Sequence, residues 1–269
     1  MLTPPPQPLS LEIKELTVRC RDGIRVKNVS LSVTAGGTLA LMGPVNSGKS
    51  EILWAANGLL AEVPGMSITG QVLIDGIDNH NISVKELRHR VGLLIPVSLS
   101  RTPYSEVAVS LRSLSSPAQE VAAKVEWALR LVGLWKEVRD RLHQPYNHAD
   151  PTLLRLLCLA RTIARQPGLL LLDDPTRGLD SISRARFEDA VVRILAEGFA
   201  TIIWGTREPD QAGRVAGQIA FLYNGELVES GSARCLFEFP RDPRTESFLT
   251  GDYRRLYALA GSEKRRSQP

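Results

Sequence analysis

Apolar and polar positions alternate from Leu11: Leu11, Ile13, Leu16 and Val18, then Val29, Leu31 and Val33. A period of two predicts short half-buried strands, with turns at Asp22-Gly23 and Ala35-Gly36-Gly37. Thr38–Met42 is almost wholly apolar, as in a strand covered on both faces of a parallel sheet. The pattern then shifts to a helix after Ser47, strands around Gly70–Ile74 ending at the turn Asp75-Gly76, and a buried strand over Val91–Ile95.

The middle third reads as helical. Ser116 is expected to cap a helix with Pro117 at its first position and Gln119 closing a capping box. Val121, Val125, Ala128, Leu129 and Val132 form its apolar stripe, and Gly133 ends it. A second helix is expected over Leu153–Ala164. Then come a buried strand Leu169–Leu172, a helix near Ser183–Glu197, a strand Ala200–Trp204 and a strand pair Ile219–Tyr223 and Glu226–Val228. The prediction is an α/β fold: a mainly parallel sheet core, an antiparallel β-subdomain, and a helical subdomain at about 96–166. This unit, 11–254, lies between a flexible proline-rich arm, 1–10, and a polar basic tail, 255–269.

Composition narrows the function classes modestly. In 269 residues, 43% hydrophobic and 23% charged, a large core is affordable without disulfide staples. A net charge of +4 and a pI near 9.1 suit a phosphate-bearing ligand or an anionic membrane surface without choosing between them. No basic stripe is interleaved with aromatics, so no nucleic acid is expected as a partner. Cys20, Cys158 and Cys235 show no pairing or metal spacing, which points to a reducing compartment, with Cys158 read as core. Met1–Pro6 lacks the basic and apolar regions of a signal peptide. No apolar run approaches the roughly 18 residues of a membrane span, so any membrane role is expected to be peripheral.

Gly43-Pro44-Val45-Asn46-Ser47-Gly48-Lys49-Ser50 follows the buried strand and precedes a helix, and these residues with Glu51 are the expected nucleotide-binding set. The spacing G-x-x-x-x-G-K-[ST] suits a backbone curled so that successive N–H groups face phosphate oxygens, with the helix dipole behind them. Lys49 then brings a flexible cation to the outer phosphates, and the Ser50 hydroxyl can ligate Mg²⁺. A strand-end carboxylate should complete the metal site, and Asp173 after Leu169–Leu172 supplies it. The cofactors expected are ATP and Mg²⁺.

About 120 residues, with a helical segment among them, separate Lys49 from Asp173, and antiparallel strand signals precede the loop. This P-loop NTPase arrangement resembles ABC-transporter ATPases. Leu171-Leu172-Asp173-Asp174-Pro175-Thr176-Arg177-Gly178-Leu179-Asp180 resembles that family's Walker B run into its D-loop. Gly70–Gly76 and Leu87–Gly92 are also ABC-like. Leu222–Gly231 and Arg244–Gly251 are similar to the phosphate-import ATP-binding subunits in particular. The resemblance spans roughly Leu11 to Arg254. It implies permease membrane subunits as partners, a second ATP-binding subunit (a copy of itself or an intact paralogue), and a cytoplasmic location on the inner face of the cell membrane.

Against that family pattern several positions differ. A glutamine expected after Val91–Ile95 is Pro96, which has neither a polar side chain nor an N–H. The signature Leu-Ser-Gly-Gly-Gln reads Ala149-Asp150-Pro151-Thr152-Leu153. Asp150 and Pro151 start a helix well. A carboxylate there nevertheless repels an anion, by about 1 kcal/mol at 4 Å even in water. The catalytic glutamate is Asp174, shorter by roughly 1.5 Å, whereas a general base must reach water at roughly 2.6–3.2 Å. The switch histidine is Arg207, expected to contact the terminal phosphate. The adenine-stacking aromatic falls near Arg19 or Cys20.

Asp174 and Arg207 weaken the site on this chain's nucleotide, and Asp150 and Pro151 the site on a partner's. The expectation is therefore an importer ATP-binding subunit that is weak or inactive in hydrolysis. The alternatives are an active transport ATPase using Asp174 as base, and a soluble nucleotide-binding regulator not coupled to a permease.

Overall fold

The computed structural model describes residues 7–98, 100–114, 117–147 and 150–266. The alternating stretch forms β1 (Leu11–Cys20) and β2 (Gly23–Val33), an antiparallel pair with Leu11 opposite Val33 and Cys20 opposite Gly23. β3 (Thr38–Met42) leads through the phosphate loop into α1 (Lys49–Asn57). β4 (Ser67–Ile74) and β5 (Ile77–Asp78) follow, then α2 (Val84–Arg90) and β6 (Val91–Leu94). Between β6 and β7 (Leu169–Asp173) lie α3 (Pro103–Ala108), α4 (Ala118–Leu131), α5 (Trp135–Val138) and α6 (Pro151–Ile163). α7 (Ser181–Glu197), β8 (Thr201–Thr206), α8 (Pro209–Val215), β9 (Gln218–Tyr223) and β10 (Glu226–Ser232) come next. α9 (Ala233–Glu238), α10 (Pro243–Leu249) and α11 (Tyr253–Arg266) are the last described elements.

Two sheets result. One is antiparallel, in the order β2-β1-β4-β5; the other runs β10-β9-β3-β8-β7-β6, with β9, β3, β8, β7 and β6 mutually parallel and β10 antiparallel at the edge. Every buried strand of the parallel sheet feeds two cores. Leu170 and Leu172 of β7 face the core shared with α4, α6 and α7, while Leu169 and Leu171 face the core shared with α1 and the antiparallel sheet. Two covered faces are why these strands read as unbroken apolar runs.

The predicted elements are present with small shifts. β6 stops at Leu94, and α6 begins at Pro151 with Asp150 as its cap, the carboxylate accepting from Thr152 N–H at 2.9 Å and Leu153 N–H at 3.0 Å. Cys158 is fully buried, as expected. Ser116, predicted as the cap of α4, lies outside the described residues; the helix itself starts at Ala118. Residues 7–10 of the expected flexible arm are docked, since Leu9 N–H donates to the Gly168 carbonyl at 2.9 Å. The stretch read as a polar basic tail continues α11 through Arg266.

Candidate functional site

The phosphate loop is wedged between strands. A Cβ at Gly43 would stand 2.1 Å from the Leu222 carbonyl oxygen of β9. Gly48 has φ +100°, and a Cβ there would lie 3.0 Å from the Arg25 carbonyl oxygen of β2. Only glycine meets both demands, of close backbone approach and left-handed backbone. Lys49 is turned into the loop: Nζ donates to the Gly43 carbonyl at 2.9 Å, the Pro44 carbonyl at 2.7 Å and Ser47 Oγ at 2.9 Å. Burial lowers its pKa to about 8, against the pull of Asp174 and Asp173.

β7 runs parallel to β8 and delivers Asp173 to the foot of α1. Ser50 Oγ donates to Asp173 Oδ1 at 3.0 Å. Burial raises the Asp173 carboxyl above its ordinary range, and the Ser50 hydrogen bond and the Lys49 charge oppose that rise. Lys49, Ser50, Val45 and Asn46 line a cleft of about 720 Å³ together with Asp173, Asp174 and Arg207. Glu51, in the first turn of α1, is not among its lining residues.

Asp174 takes a left-handed backbone, φ +43°, held by its N–H donating to the Gly205 carbonyl at 2.9 Å. Its Oδ2 accepts from Arg207 Nε at 2.9 Å. The residue expected as base and the residue expected on the terminal phosphate therefore hold each other. Arg207 follows Thr206, which is anchored by Gln211. Gln211 Oε1 accepts from Thr206 Oγ1 at 2.8 Å and from Trp204 Nε1 at 3.2 Å, and its Nε2 donates to Thr176 Oγ1 at 2.9 Å and Glu188 Oε1 at 2.8 Å. Gln211 thus ties together the loops that carry Asp174 and Arg207, a role with no signal in a single short motif.

Pro96 lines the cleft at the position where the family pattern expects glutamine. Its segment is gripped by Arg161, which donates to the Ile95 and Val97 carbonyls, each at 2.7 Å, and pairs with the fully buried Glu106. Arg19 and Cys20 do not line the cleft; they close the hairpin opposite Ile24 and Gly23. Trp54, Arg155 and Arg177 do line it; the sequence singled out neither Trp54 nor Arg155, and gave Arg177 no role beyond its place in the Walker B run. Arg155 lies inside an apolar helical run, and Trp54 on a helix face that reads as core.

A phosphate loop after an inner strand of a mainly parallel sheet, over a serine and a strand-end carboxylate, defines the P-loop NTPase fold. The ABC transporter family profile matches residues 26–177. Over 249 residues the chain is 33% identical to the phosphate import ATP-binding protein PstB of Aeropyrum pernix, covering 91% of this chain and 98% of that protein. The same protein of Thermococcus kodakarensis is 35% identical over 249 residues, 90% and 98% of the two chains. That of Cytophaga hutchinsonii is 36% identical over 233 residues, 85% and 93%. A bacterial Atm1-family ABC exporter with ATP bound shares the fold, with a TM-score of 0.74 at 22% identity over 94% of this chain and 44% of that one. The chain belongs to the ABC transporter family as an ATP-binding subunit of the phosphate-import type. Among the described residues no helix is long and apolar enough to cross a membrane.

Proposed function

We propose that this chain is the ATP-binding subunit of a phosphate-type ABC importer complex, and that its ATP hydrolysis is weak or absent. The observation that carries the second part is the 2.9 Å ion pair between Arg207 and Asp174. A base must present an oxygen to water; here one oxygen is taken by a guanidinium, on a side chain already one bond shorter than glutamate. Binding is favoured by the loop Gly43–Ser50, with Lys49 as the main charge. Ser50 and Asp173 suit Mg²⁺, because a hydroxyl and a carboxylate converge there and leave other positions to water and phosphate oxygens. A bound Mg²⁺ would supply charge neutralisation. Permease membrane subunits and a second ATP-binding subunit are the partners this reading requires, at the inner face of the cell membrane. Phosphate as the solute follows from the names of the relatives.

The test is ATP binding and single-turnover hydrolysis on the purified chain with Mg²⁺, with Lys49→Ala as control. Binding lost in the control, without hydrolysis above background, supports the reading. Hydrolysis abolished by both Lys49→Ala and Asp174→Asn would make this a working ATPase that uses Asp174. Failure to co-purify with any permease would remove the importer assignment.

A further inference from the structure

Two guanidinium groups in the cleft are not used by the reading above. Arg155 lies in the second turn of α6 and Arg177 in the loop after β7, and both line the cleft with Lys49 and Arg207. Arg155 Nη2 donates to the Arg177 carbonyl at 3.0 Å, which ties the helix to the loop. Among the described residues neither guanidinium has a carboxylate partner. Other arginines do: Arg207 has Asp174, Arg161 has Glu106, Arg214 has Glu188 and Arg244 has Asp242. Arg155 is also partly withdrawn from water, and burial lowers its pKa. Burying a cation is costly; the Asp174 charge nearby offsets part of that cost for Arg155, and an anion that enters beside it would offset more.

The charges in the cleft divide by use. Asp174 occupies Arg207, and Asp173 with Ser50 suits the metal. Lys49, Arg155 and Arg177 are left to meet phosphate. Guanidinium groups present planar forks that match phosphate oxygens in pairs, so they can hold a terminal phosphate more specifically than an ammonium group can. In the same chain Asp150 is engaged in capping α6, and Pro151 beside it offers no N–H. The segment that a second chain would need for phosphate binding is therefore poor in donors, whereas the cleft has donors of its own.

We propose that Arg155 and Arg177 form a clamp, supplied by the same chain as Lys49, on the terminal phosphate of a nucleoside triphosphate. One chain then distinguishes triphosphate from diphosphate without a residue from a second chain. The inference rests on the ATP-binding reading above.

Calorimetric titration of the full chain with Mg²⁺ and either a non-hydrolysable ATP analogue or ADP tests it, at two protein concentrations with the oligomeric state followed by light scattering. The triphosphate is expected to bind the monomer with the same Kd at both concentrations. Arg155→Ala and Arg177→Ala should each weaken triphosphate binding about tenfold and ADP binding less than about twofold. Arg155→Lys should retain part of the loss. Arg177 is exposed and outside the core, so its variant decides the matter if Arg155→Ala fails to fold. Equal weakening of both nucleotides, no change in either, or triphosphate binding only where the chain dimerises would overturn the clamp. Wild-type protein that binds neither nucleotide, or binds both unaffected by Lys49→Ala, would overturn the ATP-binding reading itself.

Discussion

Arg207 Nε donates to Asp174 Oδ2 across 2.9 Å, from the residue after β8 to the residue after β7. Strand pairing makes this contact possible, since Asp173 stands opposite Gly205 in the parallel ladder. If the pair restrains the base, removing the guanidinium and lengthening the carboxylate should release it. Arg207→His combined with Asp174→Glu is expected to raise single-turnover hydrolysis about 10²-fold or more, the usual scale of a positioned general base. Rapid-quench measurement of ADP formation checks this, and a double variant as slow as wild type would show that the barrier lies elsewhere.

Gln211 is 1% exposed and uses both ends of its amide. Alanine there would leave Thr176, Thr206 and Trp204 short of partners, while Glu188 keeps its bonds from Arg214. Each buried group so orphaned costs about 1–3 kcal/mol, less what small relaxations recover. Gln211→Ala is expected to destabilise the fold by about 2–4 kcal/mol in urea unfolding. Gln211→Glu should be at least as harmful, because it sets a second carboxylate against Glu188. A change under about 0.5 kcal/mol, the range of ordinary surface substitutions, would show the network to be dispensable.

Glu106 is wholly buried, and its charge is balanced by Arg161 with help from Ser100 N–H at 2.8 Å. Arg161→Ala removes the counter-charge and both anchors of the Ile95 and Val97 carbonyls. A loss of about 3–5 kcal/mol is expected, as for a buried pair broken on one side. Amide exchange should also quicken at Ile95, Val97 and Ser98 before it does in the strands. Stability within about 1 kcal/mol of wild type would mean that water reaches Glu106 readily.

Lys49 carries a pKa of about 8 in the fold against 10.5 for the free side chain. The unfolded chain therefore binds more protons there between those values, and the stability contribution of this lysine rises with pH across that window. Below pH 8 the burial penalty is fully present; toward pH 10 it disappears. Lys49→Met should compare most favourably with wild type at pH 7, and its relative advantage should shrink by pH 10. Urea unfolding of both proteins at the two pH values checks the sign, and a gap that widens with pH would contradict it.

Much of the architecture was legible because its causes are local. Period-two alternation marked β1 and β2, unbroken apolar runs marked β3, β7 and β8, and Asp150-Pro151 marked the start of α6. The phosphate loop was legible for the same reason: its glycines, lysine and serine are consecutive, and their chemistry needs nothing beyond the adjoining strand and helix. The short helices α8, α9 and α10 were missed; at seven, six and seven residues they are too short to show an apolar stripe.

The working arrangement of the site depends on strand order. β8 lies between β3 and β7, so Asp174 meets Arg207 from 33 positions away, and Ser50 meets Asp173 from 123. Arg155 and Arg161 stand in one apolar helix, yet one opens on the cleft and the other neutralises a buried glutamate. Hydrophobic periodicity reports which face of an element is covered. It carries no information about which distant side chain will lie opposite, because that follows from how sheets and helices stack once the chain has folded.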